Sequence, residues 1–282
     1  MNAAEPFLDA VVTATRRLPA TRCAGAAMQE DSELVAEEVP VAFSYNGISH
    51  AVMLASPLDL EDFALGFTLG ERIVDSAREV YDIEVEHTPR GIAVELRIAS
   101  AAVARLKEAR RARLGKTGCG LCGVDSLDYF EQAACLPPAA GEARAPMVLE
   151  GAALHRAMAA LAARQTLHQA TGAVHAAGWA APDGTLLCLR EDVGRHNALD
   201  KLVGALARSG ADVNDGFAVV TSRASFEMVQ KAARAGIGLL AAVSAPTALA
   251  VRMAEGAGLT LAGFVRGRRH VVYSHPQRLR NA

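Results

Sequence analysis

FAVVTSRASFEMVQKAARAGIGLLAAVSAPTALAV, Phe217 to Val251, decides the fold of this chain. Two short apolar runs, FAVV and LLAAV, each give way to small polar residues and then to a stretch with helical spacing. Apolar runs of this length, rich in Val and bounded by turn formers, read as buried strands. SFEMVQKAARAG and ALAVRMAEGAG read as the helices between them. Strands alternating with helices of this length predict a largely parallel sheet with helices on both faces.

Outward from this stretch the alternation continues. EGAALHRAMAALAARQT is a helix, GAVHAAGWA and TLLCLRED a strand pair, ALDKLVGALARSG a helix, and TLAGFVRG and HVVYS two closing strands. Toward the N-terminus the pattern changes. EEVPVAFSYNGISHAVMLAS holds two strands joined at Tyr45-Asn46-Gly47, and Asn-Gly is the type I′ hairpin signal. A helix follows, with Ser56 as N-cap and Pro57 at its first position. VYDIEVEH and GIAVELRI pair through Thr88 to Gly91, and SAAVARLKEARRARLG is a helix with a basic face. The expected organisation is an arm over 1–30, a small α+β domain over 31–135, a Pro/Ala-rich linker over 136–147, and an α/β domain over 148–282.

The chain has 282 residues, 51% of them hydrophobic with much alanine, and a net charge of −2. That balance argues against bulk attraction to nucleic acid or to a membrane surface. The N-terminal stretch has no basic region before an apolar run, and no segment approaches the length of a membrane span. Five cysteines in a chain this long do not make a disulfide framework, so reduced thiols and a cytoplasmic setting are expected.

Two of those cysteines, Cys119 and Cys122, lie in GKTGCGLCG after the basic helix. Structural zinc needs four ligands, and Cys135 offers at most a third. A thioredoxin-type pair opens a helix after a strand, whereas this pair follows a helix and is flanked by glycines. Glycines leave a sulfur unshielded. Arg105, Lys107, Arg110, Arg111, Arg113 and Lys116 lie just upstream and would stabilise a thiolate, the attacking form in sulfur chemistry. On the residues alone, inert thiols, a redox pair and a sulfur-carrying arm all stand. Cys23, Cys135 and Cys188 have no expected chemical role.

Three polar clusters sit where strands should give way to helices. They are Arg195, His196 and Asn197 within REDVGRHNALDKLVG, then Thr221, Ser222 and Arg223, then Ser244 to Thr247. Such junctions expose helix amides along one sheet edge, where α/β folds bind ligands. Capping explains any one of them; three together point to a pocket. Near the C-terminus Arg266, Arg268 and Arg269 surround Gly267, an arrangement suited to a pyrophosphate. The histidines His50, His87, His155, His168 and His175 are expected to be structural or exposed, and His270 and His275 lack a metal-ligand spacing.

GKTGCGLCG, EDVGRHNALDKLVG, TSRASFEMVQKAARAG, SAPTALAV and the FVRGRR…YSHPQR ending together resemble the formate dehydrogenase accessory protein family, FdhD, from about Glu37 to Arg280. The resemblance implies a sulfurtransferase. Sulfur would pass as a persulfide from a cysteine desulfurase to the molybdenum cofactor carrying two guanine dinucleotides (bis-molybdopterin guanine dinucleotide), which then serves formate dehydrogenase. Cys119 would bear the persulfide and Cys122 would support it. Phe264, Val265, Arg266, Gly267, Arg268 and Arg269 would bind the cofactor. The resemblance also implies a homodimer and a three-layer, cytidine-deaminase-like C-terminal domain. Where deaminases hold zinc through H-x-E and P-C-x-x-C, this chain reads Arg195-His196-Asn197 and Thr221-Ser222-Arg223. No zinc is therefore expected, and these six residues are assigned to the cofactor's guanine or phosphates. A cofactor chaperone without sulfur chemistry and a thiol-disulfide oxidoreductase are the rival readings.

Overall fold

The computed structural model describes residues 11–113 and 147–280, so the cysteine pair and all of the expected linker but its last residue lie outside the described residues. The chain begins with a two-stranded antiparallel ribbon, β1 (Thr15–Ala24) and β2 (Ala27–Ala36). Residues 15–30, expected as an irregular arm, belong to this ribbon. Its strands are exposed on both faces, so no alternation marks them. Exposed pairs such as Arg22–Asp31 and Arg16–Glu37 contribute about 0–1 kcal/mol each. A small cluster at its base, with Ala14, Leu167 and Val174 against Ala36, Leu58 and Val193, fixes it to the body.

A four-stranded sheet follows, in the order β4 (Ile48–Ala55), β3 (Val39–Tyr45), β6 (Gly91–Ile98), β5 (Val80–Thr88). The β3–β4 turn has Asn46 at φ 48° and Gly47 at φ 77°, the double positive φ of a type I′ turn. Val41, Phe43, Val94, Leu96 and Ile98 point inward onto α1 (Leu60–Gly70), where Phe43 stacks on Phe67 with ring centroids 5.0 Å apart. The following α2 (Ser100–Arg113) adds Ala102 and Leu106 to the same cluster.

The helix α1 does not start at Ser56. Its N-cap is Asp59, in the left-handed region at φ 52°. Ser56 is held elsewhere: its N–H donates to Asp192 Oδ2 (3.0 Å), its Oγ accepts from the Val193 N–H (3.1 Å), and its carbonyl accepts from Lys201 Nζ (3.0 Å). A partner 136 residues away outcompetes the local capping role.

The second sheet has six strands in the order β13 (Arg269–Ser274), β12 (Thr260–Arg266), β11 (Leu239–Ala242), β10 (Phe217–Val220), β8 (His175–Ala180), β9 (Leu186–Asp192). Only β10–β11 and β11–β12 are parallel, so the sheet is mixed and not largely parallel as expected. The links β8–β9 and β12–β13 are too short for a crossover and close as hairpins. Period-two alternation divides the strands between two cores. Trp179, Ala218, Val220, Leu240 and Ala242 meet α5 (Arg195–Ser209), α6 (Phe226–Arg234) and α7 (Ala248–Gly256) on one face. Ala176, Phe217, Val219, Leu239 and Ala241 meet α3 (Gly151–Arg164) on the other, giving three layers. A short α4 (Thr166–Thr171) follows α3, and the two-residue strands β7 (Leu149–Glu150) and β14 (Leu279–Arg280) clip the chain end beside the start of α3.

The two sheets are joined through α1 and α5, which cross with backbones in contact. A Cβ at Gly66 would lie 1.7 Å from the Asp200 carbonyl oxygen, and one at Gly204 would lie 1.9 Å from that of Asp62. Only glycine permits this approach. Charged groups surround the crossing. Asp62 takes Arg190 Nε and Nη2 (2.8 and 2.6 Å) and Arg208 Nη1 (2.8 Å). Lys231 Nζ donates to both Asp200 oxygens (2.9 and 3.0 Å) and to Glu71 (3.1 Å). Lys201, fully buried, pairs with Asp192 at 2.7 Å.

Candidate functional site

The strands β9, β10, β11 and β12 run in one direction, so their C-terminal ends share one edge of the sheet. There α5, α6 and α7 present their N-termini. Free helix amides and three aligned dipoles make this edge favourable to negative charge. The junctions are stitched together in series. Thr221 Oγ1 accepts from the Ala176 N–H (2.9 Å), Ala224 pairs with Pro246, Phe264 N–H donates to the Ser244 carbonyl (3.2 Å), and Arg266 Nε donates to the Val243 carbonyl (3.0 Å). The expected residues at the β9, β10 and β12 ends are thus brought to one rim. Cys119 and Cys122 lie outside the described residues.

The rim residues differ in how free they are. Arg223, Arg268 and Arg269 are exposed. Phe264 is 44% exposed and holds φ 53°, an uncommon conformation for a bulky residue, at an irregularity in the β12–β13 pairing. Val265 beneath it is buried. Asn197 is committed to the fold: its Nδ2 donates to the Leu54 carbonyl (2.8 Å) and to Asp192 Oδ1 (2.9 Å), which leaves no amide hydrogen for a ligand. Ser222 is buried with its hydroxyl on the Arg223 carbonyl (2.9 Å). His196 Nε2 lies 2.8 Å from Glu227 Oε2; burial holds its pKa below the usual imidazole value, against the pull of Glu227.

Between this edge and α3 lies a cavity of about 470 Å³, lined by Met158, Ala162, Gln165, His168, Val174 and His175 with Thr221 and Val243. The spacing of His155, Met158 and Ala162 puts them on one flank of α3, with Gln165 just past its C-terminal end, and that helix crosses the sheet from β13 to β9. At one end His155 Nε2 is 3.0 Å from His270 Nδ1; at the other Arg164 Nη1 donates to the Leu186 carbonyl (2.7 Å). Burial, then His270 and Arg268, lower the pKa of His155. Burial and Arg195 likewise lower that of His175. The far wall is α4, capped by Glu191 reaching from β9: its carboxylate accepts from the Leu167 and His168 amides, each at 2.9 Å. Burial raises the Glu191 pKa, and those two amides oppose the rise.

Sequence reasoning missed this wall. Met158 and Ala162 are bland residues on a helix flank, Gln165 ends that helix, and His168 and His175 carry no spacing signal. His155 and His270 are 115 positions apart. Cys188, given no chemical role from the sequence, is half-buried beside Arg190, and burial raises its pKa. Among the described residues no group of three or more His, Cys, Asp or Glu could hold a metal ion, and no helix is long and apolar enough to cross a membrane.

Residues 36–280 match the FdhD/NarQ family. The chain is 60% identical over 247 residues to a sulfur carrier protein FdhD from Cupriavidus necator, covering 88% of this chain and 84% of that one. It is 57% identical over 257 residues to a sulfur carrier protein FdhD from Bordetella petrii, covering 91% and 89%. A crystal structure described as that of a formate dehydrogenase accessory protein from Desulfotalea psychrophila superposes with a TM-score of 0.72 at 25% identity, covering 94% of this chain and 99% of that one. Fold, matched span and identity agree: the chain belongs to the FdhD/NarQ family.

Proposed function

We propose that this protein is a sulfur carrier that moves persulfide sulfur from a cysteine desulfurase to the bis-molybdopterin guanine dinucleotide cofactor used by formate dehydrogenase. The observation that carries the reading is the 60% identity, over 88% of the chain, to a protein named as a sulfur carrier. The Cys119 thiolate attacks the outer sulfur of the desulfurase persulfide. A new S–S bond forms at Cys119, the old one breaks, and the desulfurase thiolate leaves. Cys122 supports the loop chemistry, and the basic run from Arg105 to Lys116 favours the anionic sulfur. The cofactor is cargo, received at the cationic sheet edge.

Three helix N-termini with Arg195, Arg223, Arg266, Arg268 and Arg269 suit its pyrophosphates. Thr221 and His196 complete the rim, while Asn197 and Ser222 shape the turns on which it rests. The three-layer part is read as deaminase-like without zinc, the protein as a cytoplasmic homodimer, and the activity as sulfurtransferase.

Incubation with a desulfurase and free cysteine, followed by peptide mass spectrometry, tests the reading. One added sulfur on the Cys119 peptide, removed by reductant and absent in Cys119→Ala, is expected. Full formate dehydrogenase activity in a host carrying only Cys119→Ala would refute it. A reversible Cys119–Cys122 disulfide with turnover on model disulfides would replace it with the oxidoreductase reading.

A further inference from the structure

We infer that His155 and His270 are a positioning pair for the arginine turn, and that the pair takes up one proton when a polyphosphate is seated on Arg266 to Arg269. This rests on the cofactor reading above and adds to it two residues that act through the arginines. The contact itself carries the inference: His155 Nε2 and His270 Nδ1 lie 3.0 Å apart, with ring centroids at 5.1 Å. One nitrogen must donate and the other accept. In the neutral pair a single N–H makes the bond. With one added proton the same bond becomes N–H⁺···N, which is charge-assisted and stronger. The pair therefore holds in both states, and only its charge changes.

Its place gives the bond a task. β13 is an edge strand of the six-stranded sheet, and its register with β12 shifts between Gly263 and Arg266, just before the turn. The ladder alone leaves the turn loosely held, and His270, next after Arg269, anchors its base to α3. The fit is close: a Cβ at Gly151, the first residue of α3, would lie 2.8 Å from His270 Cε1. Burial first, then His270, Arg268 and Arg156, hold the pKa of His155 down, and burial does the same for His270. Arg269 adjoins His270 on the turn, while Glu150 and Arg280, register partners on β7 and β14, are exposed. No carboxylate is among the charges that shift either ring. An anion on the turn reverses that field. It offsets the arginines and attracts an imidazolium, so a proton passes from solvent to a ring nitrogen as the phosphate arrives.

Proton NMR of the imidazole Cε1–H signals of the full chain tests this, with inorganic pyrophosphate as the probe and single His variants for assignment. The midpoint of the pair should lie below the usual imidazole value in the free protein and rise by about one unit at saturating pyrophosphate, roughly a tenfold gain in proton affinity. By reciprocity the protonated protein binds pyrophosphate about tenfold more tightly. The double variant His155→Gln with His270→Asn keeps a donor and an acceptor in place of Nε2 and Nδ1 without the titration. Wild type should therefore gain up to about tenfold in affinity over it between about pH 7.5 and about pH 5.5. His155→Ala removes the tie and should weaken binding several-fold at both pH values, and His155→Gln should restore most of it at the higher one. A midpoint unmoved by bound pyrophosphate, equal pH dependence in wild type and the double variant, or His155→Ala binding like wild type overturns the inference and leaves the cofactor reading standing. Pyrophosphate that fails to bind wild type at any pH overturns both. Where a variant does not fold, the wild-type midpoint still decides.

Discussion

Replacing Gly204 by alanine puts the crossing of α1 and α5 to a direct test. The added Cβ would stand 1.9 Å from the Asp62 carbonyl oxygen, 2.7 Å from its carbon and 2.9 Å from its Cα. All three are backbone atoms, so no side chain can swing aside. A carbon–oxygen contact needs about 3.3 Å, so the helices must part by about 1.4 Å. The Arg208–Asp62 bond at 2.8 Å crosses that gap and the Lys231–Glu71 bond at 3.1 Å ties α1 to α6 beside it, so parting α1 from its neighbours stretches both toward the limit of hydrogen-bond range. Overpacking costs about 1–3 kcal/mol and the loss of a buried pair about 3–5, while alanine's helix preference returns about 1. With Asp62 and Lys231 buried but some of their partners half-exposed, a net loss of about 3–5 kcal/mol is expected, near 10 °C in Tm for a chain of this size. Urea unfolding followed by circular dichroism measures it. Gly256→Ala, at the end of α7 with nothing within 4 Å of the new Cβ, is the control and should be neutral or slightly stabilising. A Gly204→Ala loss below about 1 kcal/mol would refute the reasoning.

Three further outcomes are expected. Asn197→Ala strips donors from the Leu54 carbonyl and Asp192 and should cost about 1–3 kcal/mol in the same assay; equal stability would show that water replaces them. Burial raises the Asp200 carboxyl to about 6, against the opposing pull of Lys231. The native state therefore holds a proton that the unfolded state releases between pH 4 and 6, so this group's contribution is present at low pH and fades as pH rises to 6. Wild type minus Asp200→Asn stability, measured across that window, should fall by on the order of 2 kcal/mol; a rise would contradict the burial argument. Glu191→Gln leaves one strong acceptor for two amides and should speed hydrogen exchange at Leu167 or His168 at least tenfold, with unchanged protection in α5.

What the residues disclose in advance follows from how local the physics is. Asn46-Gly47 names its own turn because the required φ values belong to those two residues. FAVV and LLAAV announce buried strands by run length, and the junctions after them announce the cationic edge. Strand order is another matter, since nothing in HAAGWA says that it lies between β9 and β10. Ser56 has the form of an N-cap and loses that role to Asp192, a competitor no window can contain. The ribbon is invisible because both of its faces meet water, which erases the period-two signal. The cavity wall escapes for the opposite reason, its residues being ordinary core and flank choices whose convergence depends on how α3 crosses the sheet.

The helix α1 packs on its own sheet and against α5 at once, and that bears on inheritance as much as on stability. A gene fragment encoding only the six-stranded part would carry Lys201 without the Ser56 carbonyl, Asn197 without Leu54, Arg208 and Arg190 without Asp62, and Lys231 without Glu71. Such a fragment would display a glycine-lined groove along α5 with stranded charges at its rim. Recombination that traded the first part for an unrelated one would leave those groups unanswered. The two sheets are therefore bound to travel together through descent, as a single indivisible module.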